Sequence, residues 1–287
     1  MRASPRSLAA FKAQQQDAWD KAVRGWQEWW PVFEQGAQPL TDRLLDLAGV
    51  MAGNRVLDIA TGVGEPAVSA ALRVGLEGEV VGIDRSGGML EVARDRAERL
   101  GLRNTTFLQV AAEDLNFPEN SFDAGLCRWG LMFVDNMVGV LERVHCYLRP
   151  GAWLAVAVWA ASPKVPLISL PLAVIARTLR LPPQPDDASF TLANRHALVH
   201  AFGQAGFTKI HSETITLTTT FADAPTYTRY LQAVSPNLTT KLASLSPDQQ
   251  NCLWQAVEET ARQRYISPDG LLRLPGEAIC IAGQKSW

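Results

Sequence analysis

The chain has 287 residues, of which 47% are apolar and 20% charged, a composition that can build and solubilise a sizeable core. Its formal net charge is −2, so no general basic field favours nucleic acid as the main substrate. The four cysteines lie far apart and form no CxxC pair, which argues against a disulfide framework and against a structural zinc site. No bound metal is therefore predicted.

The first forty residues are predicted to form a helix with an aromatic stripe. Trp19, Trp26, Trp30 and Phe33 recur at spacings that place them on one helical face. Packing against the main domain would explain this stripe. A lid over an apolar substrate would explain it too, with Trp26 and Trp30 lining the substrate pocket. The start lacks an apolar targeting segment, and the longest apolar run, 152–161, is too short to span a bilayer, so a cytoplasmic protein without an integral membrane segment is predicted.

From residue 54 onward, strands and helices alternate. Five strands are predicted, at 55–60, 79–83, 105–110, 122–127 and 152–159, with helices after the first, second and fourth strands. Ser86 is a suitable N-cap for the helix after the second strand. Repeated βα units predict a parallel sheet that is covered by helices on both sides.

After residue 159 the pattern changes to proline-rich and helical segments, followed by strands predicted at 207–220 and 277–282. The predicted fold class is α/β, a doubly wound, mostly parallel, seven-stranded Rossmann-like sheet with helical cap insertions. The predicted segments are an amino-terminal helical lid (1–45), a ligand-binding core (46–160), a cap insertion (161–192), a core helix and strand (193–221), a helical cap insertion (222–275) and a final core strand (276–287).

A glycine-containing turn follows the first strand. Gly62 and Gly64 allow a sharp bend and a close approach of ligand to backbone, although with Ala67 they also fit a dinucleotide fingerprint. Asp58 lies inside the strand, where a carboxylate favours a cationic ligand and disfavours a pyrophosphate. A carboxylate that only ties the loop to nearby amides is the alternative. Asp84 ends the second strand and can accept the ribose hydroxyls of either ligand.

Several motifs resemble, in order, those of the class I S-adenosylmethionine-dependent methyltransferases. They lie at 56–64, 82–90, 112–123, 127–133 and 148–151. The branch that methylates quinones, lipids and secondary metabolites is the most similar. The resemblance implies S-adenosyl-L-methionine as cofactor and a small, largely apolar molecule as the acceptor of an O-, N- or C-methylation by in-line displacement.

The resemblance also implies which residues bind the cofactor. Ordered from the methionine end through the ribose and adenine to the sulfonium, they are Asp58, Ala60, Gly62 and Gly64, then Asp84, then Arg85, Met89, Ala111, Ala112 and Glu113, and finally Leu126 and Cys127. Two positions depart from the family pattern. Ala60 stands where the family usually has glycine, and Ala111 stands where it often has an aspartate that binds the adenine amino group. Glu113 or Asp114 could replace that aspartate.

No catalytic residue is predicted, because positioning alone can supply on the order of 7–11 kcal/mol in such a displacement. Arg128 and Trp129 follow the fourth strand, where ligands of parallel sheets bind, and are candidates for lining the substrate pocket. His196 and His200 lie four apart on a predicted helix and are further candidates for that wall. Two solvated histidines are the alternative interpretation.

Three other functions stay open at this point. The first is a nicotinamide-dependent oxidoreductase or a flavin enzyme on the same class of fold. The second is an enzyme that binds S-adenosylmethionine but catalyses a rearrangement or elimination without methyl loss. The third is a non-catalytic module that docks on a partner or a membrane surface through the aromatic helix and the apolar segment 165–181. The sequence lacks the Asn/Asp-Pro-Pro-aromatic motif of many DNA methyltransferases, which favours a small acceptor.

Overall fold

One long helix precedes the sheet. The structure, a computed structural model, describes residues 5–180, 187–235, 238 and 242–287, with side chains from residue 16 onward. Helix α1 spans Pro5–Leu47, and its later turns bury Phe33, Leu40 and Leu44 against the rest of the protein. The helix predicted for the amino-terminal forty residues is therefore present from Pro5 onward.

Seven strands form one sheet. They are β1 (Arg55–Ile59), β2 (Glu79–Asp84), β3 (Thr105–Gln109), β4 (Phe122–Arg128), β5 (Leu148–Trp159), β6 (Thr208–Phe221) and β7 (Leu272–Gln284). Their order across the sheet is β3-β2-β1-β4-β5-β7-β6, and β7 runs in the opposite direction to the other six strands. The first five strands pair in parallel, and β1, β2, β4 and β5 are mostly buried and apolar, whereas the edge strand β3 is mostly exposed. The predicted fold class is confirmed.

The remaining helices cover both faces of the sheet and its carboxyl edge. They are α2 (Ala67–Val74), α3 (Gly87–Arg99), α4 (Met137–Tyr147), α5 (Pro166–Thr178), α6 (Arg195–Gln204), α7 (Ala224–Val234) and α8 (Pro247–Tyr265). Ser86 caps α3 as predicted, since its hydroxyl accepts a hydrogen bond from the Met89 amide at 3.2 Å. No helix in the described ranges is both long enough and apolar enough to cross a bilayer.

The last strand is longer than its sequence suggests. Strand β7 begins at Leu272, inside the segment expected to be helical cap, and extends well beyond the predicted 277–282. It pairs with β6 from Phe221–Leu272 to Thr208–Gln284, so the two strands project past the parallel part of the sheet as a ribbon. Pro275 and Gly276 conceal this extension in the sequence, because both residues are disfavoured inside strands.

The ribbon supports a helical layer above the carboxyl ends of the parallel strands. Helix α1 packs against β6, α7 and α3, and α5 and α7 both pack against α8. Two glycines of α1 allow these approaches, because a Cβ built at Gly25 would lie 2.0 Å from the Ala233 carbonyl oxygen and one at Gly36 would lie 2.3 Å from that of Thr218. Helices therefore cover the carboxyl edge of the parallel strands, where sheets of this class bind their ligands.

Candidate active site

The turn after β1 opens the site. Gly62 and Gly64 have φ angles of 55° and 103°, which side chains rarely adopt, and Ala60 has a φ of 57°. The left-handed conformation of Ala60 fits the glycine that the family pattern has at this position. Trp129, just after β4, shares this conformation, with a φ of 57°. Two non-glycine residues in a costly conformation at neighbouring strand ends are typical of a ligand site.

Asp84 joins the ends of β1 and β2. Its carboxylate accepts hydrogen bonds from the Gly62 amide and from the Ser86 amide, each at 2.9 Å. Burial raises the pKa of Asp84, and these two amides partly offset that effect by stabilising the charged form. A carboxylate oxygen has two lone pairs, so both oxygens retain the capacity to accept a ligand hydroxyl.

Asp58 lies beneath the same turn and is fully buried. One of its oxygens accepts a hydrogen bond from the Ala67 amide at 3.0 Å. This bond agrees with the alternative interpretation of Asp58 as a carboxylate that ties the loop to nearby amides. The other oxygen has no hydrogen bond of normal geometry within the described part of the chain. Burial, the largest effect, raises the pKa of Asp58 to about 7. Asp58 lies behind the turn, where burial disfavours its charged form, and it does not line the space in front of the turn.

That space, the first cavity, has a volume of about 160 Å³. It lies between the turn after β1, the ends of β2 and β4, and helix α1. Its walls are formed by Trp19, Trp26, Trp30, Phe33, Glu34, Ala60, Thr61, Gly62, Val63, Glu65, Ile83, Asp84, Arg85, Met89, Val110, Ala112, Arg128, Trp129, Gly130, Phe133 and Val134.

Many of the residues suggested by the sequence meet in this wall. Those that line it are Ala60, Gly62, Asp84, Arg85, Met89, Ala112, Trp26, Trp30, Arg128 and Trp129. Asp58, Gly64, Ala111, Glu113, Leu126 and Cys127 lie behind it or beside it. Glu113 contacts a residue of the wall, because its carboxylate forms an ion pair with the guanidinium of Arg85 at 3.3 Å. The cofactor assignments themselves stay predictions.

A second cavity of about 170 Å³ lies beyond the first. Five residues line both cavities, and they are called the shared wall: Trp19, Trp26, Phe33, Trp129 and Phe133. The second cavity is completed by Ala18, Trp159, Leu167, Ile168, Leu172, Asp187, Ser189, Tyr230, Leu231, Val234, Ser235 and Leu238. Every residue of the shared wall is aromatic, and the aromatic stripe of α1 supplies three of the five.

Two buried ion pairs hold α1 and the glycine turn in place. The guanidinium of Arg128 donates to both carboxylate oxygens of Glu34, at 2.7 and 2.8 Å, and to the Thr41 hydroxyl at 2.5 Å. The guanidinium of Arg96 donates to Glu65 at 2.8 Å and lies 3.7 Å from the centre of the Trp30 ring. Arg128 lines the first cavity, but its hydrogen-bonding capacity is largely used within the protein.

Glu34 and Glu65 were missed by the motif analysis, although both line the first cavity and are less than 10% exposed. Burial raises the pKa of Glu65, and the nearby charge of Glu34 raises it further. Glu34 could have been found from its position, since it follows Phe33 on the turn of α1 that carries the aromatic stripe. Glu65 gives no such signal, because its partner Arg96 is 31 residues away.

His196 and His200 do not reach either cavity. Both lie on exposed turns of α6, which packs against α4, β6 and β7. Their side chains face solvent, in line with the simpler alternative considered for them. Among the residues that the structure describes, no group of three or more histidine, cysteine, aspartate or glutamate side chains could hold a metal ion.

The central part of this chain is similar to known proteins. Residues 56–151 match the family model described as "Methyltransferase domain". The aklanonic acid methyltransferase DauC of Streptomyces sp. (strain C5) is 39% identical over 117 residues, which are 41% of this chain and 53% of that protein. The ubiquinone/menaquinone biosynthesis C-methyltransferase UbiE of Pseudomonas fluorescens (strain SBW25) is 42% identical over 127 residues, 44% of this chain and 50% of the relative.

These matches reach only about half the length of the curated relatives. Among solved structures, the YcgJ protein of Bacillus subtilis superposes with a TM-score of 0.56 at 21% identity, covering 86% of this chain and 98% of that one. At this identity, the solved structure supports the fold alone. Residues 56–151 therefore match a methyltransferase domain, and the relatives aligned with this part of the chain are methyltransferases.

Proposed function

We propose that this protein binds S-adenosylmethionine in the first cavity and transfers its methyl group to a small, largely apolar molecule in the second. One observation carries the proposal: the cavity beside the glycine turn and the apolar cavity share a wall of five aromatic residues. A donor and an acceptor placed on the two sides would meet at that wall.

The residues of the first cavity fit the cofactor chemically. Asp84 offers carboxylate lone pairs to the ribose hydroxyls, and Met89 and Arg85 flank the adjoining space. Glu34 and Glu65 place two buried carboxylates near the glycine turn, and Asp58 lies behind it. These three carboxylates face the two guanidinium groups of Arg96 and Arg128, so the charged cluster is short of one positive charge when all five are ionised. A cationic ligand suits such a site and a pyrophosphate does not.

S-adenosylmethionine, when bound, supplies a methyl group on a positively charged sulfur. The protein positions the two reactants and excludes water from the space between them. The shared wall contains no ionisable side chain. Glu34, Glu65, Asp84, Arg85 and Arg128 line only the first cavity, and Asp187 and Tyr230 line only the second. Among the described residues, none that borders both cavities can remove a proton from the acceptor. We infer that alignment across the shared wall is the main catalytic effect.

Calorimetry with S-adenosylmethionine and with NAD tests the first half of the proposal. We expect S-adenosylmethionine to bind and NAD not to bind, and the reverse result would contradict the proposal. Mass spectrometry tests the second half, with the full chain, S-adenosylmethionine and a panel of small acceptors. S-adenosylhomocysteine together with a product heavier by one methyl group supports methyl transfer. A rearranged product of unchanged composition would show instead that the cofactor assists a reaction without being consumed.

A further inference from the structure

Five charged side chains line the first cavity. They are the carboxylates of Glu34, Glu65 and Asp84 and the guanidinium groups of Arg85 and Arg128, and its described lining residues include no lysine or histidine. When all five are ionised, the wall carries an excess of one negative charge. Glu34, Glu65 and Arg128 are each at most 9% exposed, so solvent screens their charges little.

Arg128 brings a positive charge to this wall from the end of β4. That charge reaches the glycine turn, as the pKa of Asp58 shows: burial is the largest effect and raises this pKa, while the guanidinium of Arg128 lowers it. A ligand with a positive charge in the first cavity would therefore be repelled by Arg128 if no other group opposed it.

Glu34 supplies the opposing charge from α1. Its two carboxylate oxygens accept hydrogen bonds from Arg128 at 2.8 and 2.7 Å, and the Thr41 hydroxyl lies 3.3 Å from one of them. The charge of Glu34 is also felt at the glycine turn, because it adds to the effect of burial in raising the pKa of Glu65. The pair of Glu34 and Arg128 is neutral as a whole, so the excess negative charge of the wall comes from the other carboxylates.

We propose that Glu34 is a specificity-determining residue: by cancelling the charge of Arg128, it allows the first cavity to favour S-adenosylmethionine over S-adenosylhomocysteine. The two ligands share their adenosine and amino-acid groups, and they differ in one methyl group and in the positive charge on sulfur. This inference rests on the proposed function, and it adds the residue of α1 that makes the site sensitive to that charge. The selection favours exchange of the spent cofactor for a fresh one.

Charge-neutralising variants test the role of Glu34. The quantity measured is the dissociation constant of S-adenosylhomocysteine divided by that of S-adenosylmethionine, obtained by calorimetry on the full chain. A pH of ~8 keeps Asp58, with its pKa of about 7, largely ionised. Glu34→Gln unmasks the charge of Arg128, so we expect this ratio to fall at least about threefold. Arg128→Gln leaves the charge of Glu34 unopposed and should raise the ratio at least about threefold.

The double variant Glu34→Gln/Arg128→Gln is the matched comparison. Its pair is neutral, as in the wild type, so the ratio should return to within about twofold of the wild-type value. Asp42→Asn removes an exposed carboxylate from the same helix and should leave the ratio unchanged. Partial unfolding weakens the apparent binding of both ligands alike and cancels in the ratio, so opposite shifts in the two single variants identify an effect of charge. A ratio that does not fall in Glu34→Gln, or does not rise in Arg128→Gln, would overturn the inference.

The two proposals fail in different ways. Absence of S-adenosylmethionine binding by the wild-type protein would defeat the proposed function. Binding of S-adenosylmethionine with a ratio that ignores both substitutions would defeat only the role of Glu34. If Glu34→Gln does not fold, Arg128→Gln and the double variant carry the test, since the ratio should rise in the first and return in the second. Equal ratios in those two variants would overturn the inference.

Discussion

Arg128, the last residue of β4, forms a two-bond ion pair with Glu34 of α1, and both side chains are at most 10% exposed. This pair links the carboxyl edge of the sheet to the helix that carries the aromatic stripe. Glu34 lies directly after Phe33 and one turn after Trp30, so the pair fixes how those rings meet the cavities. We therefore propose that Arg128 acts as a positioning residue through α1.

Removing one partner of this pair should be costly. We expect Arg128→Met to lower the free energy of unfolding by about 3–5 kcal/mol, because Glu34 would be left buried without its counter-charge. Arg149→Ala is the control, because it breaks an ion pair between Arg149 and Asp123 in which the arginine is half exposed, and such pairs contribute about 1 kcal/mol or less. Urea unfolding measures both variants. Equal, small losses would show that the Arg128–Glu34 pair does not anchor α1.

The close approach of α1 to α7 gives a second prediction. Gly25→Ala would place a Cβ 2.0 Å from the Ala233 carbonyl oxygen, so we expect α1 to shift and the free energy of unfolding to fall by about 1–3 kcal/mol, a typical cost of overpacking. Gly203→Ala is a matched control inside α6, where the nearest atom to the new Cβ lies 3.9 Å away. It should stabilise the protein by up to about 1 kcal/mol through helix propensity. Thermal unfolding measures both effects, and faster proteolysis of α1 in Gly25→Ala alone would locate the change.

Asp84 gives a prediction for cofactor binding. We expect Asp84→Ala to weaken binding of S-adenosylmethionine by about 1.5–3 kcal/mol, because the ribose loses a charged hydrogen-bond acceptor and the Gly62 amide loses its partner. Asp95→Ala, an exposed change on α3, should leave the affinity unchanged. Calorimetry on both variants provides the comparison. Unaltered affinity in Asp84→Ala would mean that the ribose lies elsewhere.

The buried carboxyl of Asp58 gives a pH-dependent prediction. Because its pKa rises from 3.8 to about 7 on folding, the folded protein holds a proton that the unfolded chain releases between those values. Its contribution to stability therefore falls as the pH rises from about 4 to about 7. Asp58→Asn cannot ionise, so its stability relative to the wild type should be greater at pH ~8 than at pH ~5.

Urea unfolding of the wild type and Asp58→Asn at the two pH values measures this difference, with Asp95→Asn as an exposed control. The same variant should bind S-adenosylmethionine more weakly at the higher pH, since a negative charge behind the glycine turn is lost. A stability difference that is independent of pH would show that Asp58 keeps an ordinary ionisation in the folded protein.

Local sequence patterns predicted the fold, because the strand, turn and helix of a βα unit each depend on residues that are close together in the chain. Apolar strands, glycine turns and capped helices recur with a regular period from residue 54, and these features depend on neighbours along the chain. The cavity-lining positions of Gly62 and Asp84 follow from that order, because ligands bind at the carboxyl ends of parallel strands, whereas Met89 was suggested by the family resemblance. The predicted strand was shorter than β7, because proline and glycine have low strand propensity. In the structure, Pro275 and Gly276 nevertheless pair with β6.

By itself, the sequence determined the doubly wound sheet, the glycine turn and the aromatic stripe of α1, all of which depend on residues close in the chain. Tertiary structure alone decided that the stripe borders two cavities, that Arg128 pairs with a residue 94 positions away, and that His196 and His200 face solvent. Long-range packing sets these contacts. The helices α1, α5 and α7 approach the sheet edge through close-packed surfaces whose partners are distant in sequence, and no local periodicity encodes which surfaces meet.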